Sequence, residues 1–269
     1  MKVCIASKDR SSVITTHLFF KPKDVLIFVE PQEVKRYQTF LPDYSIVDIK
    51  KTNQGVCYAR NFIIDNVRED KIIMADDDIY FFGIRNNEYR YTGITNLDEM
   101  AKDISEGLDL YLTHTIPFSV FSYFENKGSN NEKRFYVDEK ISRGFYGINL
   151  KEVREKGIRF DTSLDAEDLD FSIQILLNNA HICTDYKYLI KTPVFIQGGH
   201  KSARKLDALS LDGIVRRQIQ QITKKYGAEF INFVHDSEGY AHSCSINIGL
   251  LKKRKEIAKK NYNEYLANL

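Results

Sequence analysis

Hydrophobic positions in the first ninety residues fall into short β-rich runs separated by segments with helical spacing. "KVCIASK" (2–8), "DVLIFVE" (24–30), "YSIVDIK" (44–50) and "KIIMA" (71–75) have the length and composition of buried strands. Between them, "VITTHLFF" (13–20) and "PQEVKRYQTF" (31–40) read as helices, the second opened by Pro31. In "GVCYARNFIIDNV" (55–67), Val56, Ala59, Ile63 and Val67 recur on one helical face. This alternation predicts an α/β domain: a mostly parallel sheet with helices on both faces, and ligands at the carboxyl ends of its strands.

Further along, "NLDEMAKDISEGL" (96–108) predicts a helix and "DLYLTHT" (109–115) a strand. The polar stretch 125–134, "ENKGSNNEKR", reads as a loop or hairpin tip. "RFYVDEKISRGFYGINL" (134–150) supplies one or two strands, with Gly144 and Gly147 permitting close backbone approach. "LDAEDLDFSIQILLNNA" (164–180) is a helix whose start gathers Asp165, Glu167, Asp168 and Asp170. Past residue 200 the pattern becomes cationic. A helix over 212–227, an irregular or strand-like stretch over 230–248 and one lysine-rich final helix over 249–269 are expected.

Composition narrows the class. A chain of 269 residues, 43% hydrophobic and 12% aromatic, can bury a substantial core. Its formal net charge of +2 creates no global field, so any basic surface is local. Cys4, Cys57, Cys183 and Cys244 form no C-x-x-C pair, which argues against a zinc ribbon or a disulfide framework and for free thiols in a reducing compartment. No run approaches the roughly 18 apolar residues of a membrane span. A soluble, cytoplasmic protein is expected.

Four constellations carry candidate chemistry. Asp76, Asp77 and Asp78 crowd the end of a core strand, where their mutual repulsion suits either a divalent cation or a solvated acidic turn. Gly55 and Arg60 open the preceding helix; glycine admits close backbone approach, and the guanidinium offers a fork to a phosphate or an acidic partner. Glu167 and Asp168 stand at a helix start, as a general base or as charges that complement the helix dipole. "FIQGGHKSARK" (195–205) offers His200 as a metal ligand, and Lys201 and Arg204 to neutralise a diphosphate; His114 is a weaker candidate.

In this order the motifs "GVCYARN", "IIMADDD", "SRGFYGINL" and "IRFDTSLDAEDLDF", over residues 55–171, resemble the GT-A-fold glycosyltransferases that use nucleotide-sugar donors. The resemblance implies a GT-A domain over 1–205, with a basic helical C-terminal extension over 206–269 packed on it. It also implies a UDP-sugar donor with Mn²⁺ or Mg²⁺ held by Asp78 and Asp76, Asp76 also meeting the nucleoside and Asp77 serving either the donor sugar or only the turn. Glu167 or Asp168 then faces the acceptor, and His200 is a further metal ligand. A narrower likeness, from "IASKDRSSVITTHLFF" through "IIMADDDI", is to the TET-associated glycosyltransferases of phages, thought to place sugars on hydroxymethylated pyrimidines in DNA. It implies that Ser7, Arg10 and Thr16 lie near the donor nucleotide. Lys8 and Asp9 depart from the family's simpler turn, which has glycine before the arginine.

The expected reaction is sugar transfer to 5-hydroxymethylcytosine, or another hydroxymethylpyrimidine, in double-stranded DNA. Arg216, Arg217, Lys224, Lys225, Lys252, Lys253, Arg254, Lys255, Lys259 and Lys260 can meet phosphates, or simply form the solvated faces of two helices. A saccharide or lipid-linked acceptor, and a non-catalytic nucleotide- or DNA-binding module, are the competing expectations.

Overall fold

The computed structural model describes residues 1–85, 91–93, 99, 102–103, 106, 118–123, 135–137, 144–161, 166–192, 211–235 and 241–267. The main sheet is built from β1 (Lys2–Ala6), β2 (Val25–Val29), β3 (Ser45–Asp48), β4 (Lys71–Asp76), β5 (Phe81–Arg85), β6 (Tyr91–Gly93), β7 (Phe118–Tyr123), β8 (Phe135–Val137), β9 (Phe145–Asn149) and β10 (Ile182–Lys191). Its order is β3-β2-β1-β4-β9-β7-β10-β5-β6, with β8 beside β10. The block β3-β2-β1-β4 is parallel, as alternation with helices requires. From β9 onward antiparallel pairings enter, and β7–β10 is again parallel.

Strand alternation divides the core. Cys4, Ile72 and Met74 face one cluster, whereas Val3, Ile5, Ile73 and Ala75 face the other, so the interior positions of β1 and β4 are apolar throughout. The first cluster packs against α2 (Gly55–Asn66), α3 (Leu150–Glu155) and α4 (Glu167–Leu177). Across the sheet, Tyr37 of α1 (Val34–Phe40), Leu41, Ile14 and Phe20 fill the second cluster.

Several expectations are corrected. Residues 13–20 do not form an α-helix; a short 3₁₀ turn spans Thr16–Phe19. The Thr15 and Thr16 hydroxyls donate instead to the carbonyls of Ile79 and Asp76, and such side-chain bonds compete with a helix. The final lysine-rich helix is two, α6 (Ile248–Lys253) and α7 (Lys255–Ala267), with a break at Arg254. The stretch before them contains an antiparallel hairpin, β11 (Ile231–His235) with β12 (Ala241–Ile246). Nothing in the hydrophobic pattern singles out β10, since Thr184, Asp185 and Lys187 interrupt it. Yet it pairs with β7 on one side and with β8, then β5, on the other. Of the helix expected over 96–108, residues 99, 102, 103 and 106 are described and helical. The strand expected over 109–115 and the stretch 125–134 lie outside the described residues.

The C-terminal segment joins the same core. Ile222 and Tyr226 of α5 (Leu211–Tyr226), with Phe230, Ile231, Ile246, Leu251 and Ala258, belong to the cluster that contains Cys4, Ile63 and Phe171. Fully burying one large apolar side chain contributes about 1.5–3 kcal/mol, so these residues together rival the whole stability of a typical domain, about 5–15 kcal/mol. A chain cut after residue 205 is therefore expected to lose cooperative unfolding in a urea titration. A cooperative transition in that fragment would show the two parts to be separable.

Candidate active site

β1 pairs with β4 so that Ala6 lies beside Asp76, which brings the residues after β1 against the aspartate turn. The strand ends at Asp76, and the turn through Asp77 and Asp78 sends the three carboxylates different ways. Asp77 points inward and is 5% exposed. It accepts from Ser7 Oγ at 2.5 Å and from Arg10 Nη1. Because the serine proton goes to Asp77, the Tyr37 hydroxyl donates to Ser7 Oγ at 2.6 Å, while itself accepting from Arg10 N at 3.0 Å. Burial pushes the Asp77 carboxyl up to about 6 against the pull of Arg10. Arg10 Nη1 also donates to Asp78 Oδ2 at 3.0 Å. Burial raises the Asp78 pKa, and the neighbouring charge of Asp76 adds to it.

The turn is braced from outside by Thr16. Its hydroxyl donates to Asp76 O at 2.6 Å and accepts from Ile79 N at 2.9 Å. Asp9, where the family likeness leads one to expect glycine, has φ 56°, a left-handed conformation that glycine adopts freely and aspartate tolerates. Its amide donates to Glu33 Oε1 at 2.7 Å. On the far side Gly144, at φ +69°, accepts from Asp76 N through its carbonyl at 2.7 Å. A Cβ at Gly144 would lie 3.0 Å from Asp76 Oδ2, so both its backbone angle and its missing side chain serve the same carboxylate.

Arg60 links this turn to the acidic helix start. The side chain leaves α2 buried, at 3% exposed. Nη2 donates to Asp76 Oδ1 at 2.8 Å, and Nη1 donates to Asp168 Oδ1 at 2.8 Å and to Glu167 Oε1 at 3.4 Å. Burial works against the guanidinium charge, but Asp168, Asp76 and Glu167 outweigh it and hold its pKa above the ordinary value. Its carbon lies 5.1 Å from the Phe160 ring centre and 5.6 Å from that of Tyr146, whose hydroxyl donates to Asp168. The adjacent Asn61 bonds both the amide and the carbonyl of Phe160, at 3.0 and 2.8 Å. Of the two partners proposed for Arg60, a phosphate or an acid, these contacts are acidic.

Ser7, Arg10, Thr16, Arg60, Asp76, Asp77, Asp78, Glu167 and Asp168 are thus joined by direct bonds into one constellation. Gly55 starts α2 at φ +79°, with nothing within 4 Å of a Cβ there, so its requirement is conformational. His200, Lys201, Arg204 and His114 lie outside the described residues. Tyr37, Asn61 and Tyr146 were not among the expected site residues. Tyr37 carries a faint signal as the aromatic of the Val34–Tyr37–Leu41 spacing, and Tyr146 none beyond its place between Gly144 and Gly147.

Among the described residues no group of three His, Cys, Asp or Glu side chains is gathered to hold a metal. The donor chemistry nevertheless fits a hard cation. Asp76 and Asp78 supply two neighbouring carboxylates, and Mg²⁺ commonly takes one or two such ligands together with substrate phosphates. No helix among the described residues is long and apolar enough to cross a membrane. Cys4, Cys57 and Cys183 are buried and in no disulfide, and burial pushes the Cys57 thiol up to about 12.

The TET-associated glycosyltransferase family profile matches residues 1–197. A mannosyltransferase from Pyrobaculum calidifontis, in complex with GDP-Man and Mn²⁺, has a TM-score of 0.54 at 14% identity, over 82% of this chain and 63% of that one. S. aureus TarS 1-349 in complex with UDP-GlcNAc has a TM-score of 0.50 at 17% identity, over 83% of this chain and 66% of that one. Glucosyl-3-phosphoglycerate synthase from Mycobacterium tuberculosis, in complex with Mg²⁺ and uridine diphosphate, has a TM-score of 0.50 at 9% identity, over 93% and 91% of the two chains. The chain thus spans just under two thirds of the first two proteins. No curated protein sequence matches it. The fold is that of the GT-A nucleotide-sugar glycosyltransferases. The chain belongs to the TET-associated glycosyltransferase family.

Removing Arg60 strands three carboxylates in a partly buried site, a change that typically costs about 3–5 kcal/mol. Arg60→Met is expected to lower the stability measured by urea unfolding on that scale. A loss below about 1 kcal/mol would contradict the bridging role.

Proposed function

We propose that the protein transfers a sugar from a UDP-sugar to the hydroxymethyl group of a pyrimidine base in DNA, 5-hydroxymethylcytosine being the leading acceptor. The observation that carries the reading is the Arg60 fork, which joins Asp76 at the strand tip to Glu167 and Asp168 at the helix start. A donor carboxylate and an acidic pair held on one guanidinium form a site where a sugar phosphate and an attacking hydroxyl can meet. Family membership supports the reaction class, and the nucleotides bound by the structural neighbours support a nucleoside-diphosphate donor.

In this reading Asp78 and Asp76 hold Mg²⁺ or Mn²⁺, with His200 as a further ligand. The ion, when bound, offsets charge on the departing diphosphate. Ser7, Arg10 and Thr16 keep the aspartate turn open toward the nucleotide, with Asp77 shaping it from beneath. Gly55 lets the backbone near the donor, and Lys201 and Arg204 serve the diphosphate. For an inverting course, the acceptor oxygen attacks the anomeric carbon as the bond to the phosphate oxygen breaks. The hydroxyl proton passes to the acidic pair, where Arg60 and Tyr146 fix one oxygen of Asp168. The exposed Lys224, Lys252, Lys253, Arg254 and Lys260 offer contacts to DNA phosphates, and the base must leave the stack to reach the site. Hydroxymethylated phage DNA places the reaction in the cytoplasm of an infected cell.

Mass spectrometry of 5-hydroxymethylcytosine DNA incubated with the protein, Mn²⁺ and mixed UDP-sugars is expected to find a hexose or pentose added to the base. An unchanged base, with UDP released as the sugar is transferred to an oligosaccharide, would reject the DNA acceptor and keep the transferase. Asp78→Ala is expected to abolish UDP release. Asp168→Asn is expected to slow it by about 10²–10⁴-fold, the usual contribution of a positioned base. Full activity in Asp168→Asn would remove that residue from the chemistry.

A further inference from the structure

The acidic first turn of α4 has no side-chain cap at Ala166, and places Glu167, Asp168 and Asp170 within four residues. Repulsion among them is relieved by two cations approaching from different elements. Arg60 of α2 takes Glu167 and Asp168. Lys225 of α5 takes Asp170, with Nζ 2.6 Å from Oδ1, and also Asp161, 2.9 Å from Oδ2. Lys225 is 1% exposed and Asp170 is fully buried. The neighbouring Tyr226 hydroxyl donates to the same Asp170 Oδ1 at 2.6 Å, and Gln174 Nε2 donates to Oδ2 at 2.6 Å. Tyr226 is itself held, its carbonyl accepting from Asn261 Nδ2 of α7 at 2.8 Å.

Asp161 and Asp170 bracket the segment that carries Glu167 and Asp168, so one ammonium ties both of its ends. Burial disfavours the charge on Lys225, yet Asp170 and Asp161 hold its pKa above the ordinary value, so it remains a cation. A buried ion pair is poor evidence of stabilisation, since apolar groups of similar volume often serve as well. Directed bonds from an ammonium and a phenol to one carboxylate do something apolar groups cannot: they set the rotation and register of the helix turn. This clamp comes from beyond residue 197, where the family match ends.

We propose that Lys225 and Tyr226 are positioning residues, which fix the first turn of α4 so that Glu167 and Asp168 face the acceptor hydroxyl. The proposal rests on the glycosyl-transfer reading of that acidic pair. It makes the C-terminal segment part of the acceptor side of the site, whereas Asp76 and Asp78 depend on β1, β4 and Gly144.

The test uses the full chain in three forms: wild type, Tyr226→Phe, and the paired replacement Lys225→Met with Asp170→Leu, which removes both buried charges together. Each is assayed for UDP release with UDP-sugar and hydroxymethylated DNA, and for amide hydrogen exchange at residues 167–170. Both variants are expected to keep a cooperative melt and a UDP-sugar KM within about twofold of wild type. Their kcat should fall at least about tenfold, a loss in line with small misplacement of reacting groups, with faster exchange in that turn. Unchanged kcat in a folded variant, or equal losses in kcat and donor affinity, would overturn the proposal. If the paired variant does not fold, Tyr226→Phe carries the same comparison. A wild-type chain inactive with every donor would instead overturn the transfer reading. Exchange at 167–170 would then decide the clamp alone, and unchanged exchange would reject it.

Discussion

A buried guanidinium and the carboxylates around it organise this molecule. Arg60 could not be buried to 3% exposure without compensating charge, because a cation removed from water without partners costs several kcal/mol. Asp76, Glu167 and Asp168 would likewise repel one another without it. Each side makes the other tenable. The consequence is geometric, since Asp76 ends a parallel strand and the acidic pair starts a helix more than ninety residues later, and one side chain sets how far apart they stand.

Around that bridge the aspartate turn separates its three carboxylates by burial. The middle carboxylate turns inward to Ser7 and Arg10, while the outer two are less buried, Arg60 holding one oxygen of Asp76 and Arg10 one of Asp78. Three consecutive charges thus become one buried anchor flanked by two less buried groups. The acidic turn of α4 is divided in the same way, with Arg60 on the less buried pair and Lys225 on the residue facing the core. In both places crowded negative charge is stable because cations from distant elements reach it from different directions.

Legibility varied with how locally each feature was determined. The strands over 2–6, 25–29 and 71–76 and the helix over 55–66 were readable because continuous apolar runs and helical spacing are written in consecutive residues. The "ARN" helix, the strand-end aspartates and the acidic helix start were readable as candidates for the same reason. Residues 13–20 misled because their threonines bond to a turn sixty residues away rather than to their own backbone. β10 was hidden because buried partners accommodate its polar positions; Asp185, 1% exposed, accepts from the Lys187 amide.

By itself the sequence determined the α/β alternation, the parallel block and the identity of the acidic and basic groups, since all three follow from local pattern and side-chain chemistry. Only the tertiary structure decided what those groups do to one another. Arg60 meets acids, Asp77 faces inward, and Lys225, which belongs to a run that reads as a solvated cationic face, is buried against Asp170. The reason is that charge pairing acts through space over a few ångströms, between residues that the chain separates by tens of positions.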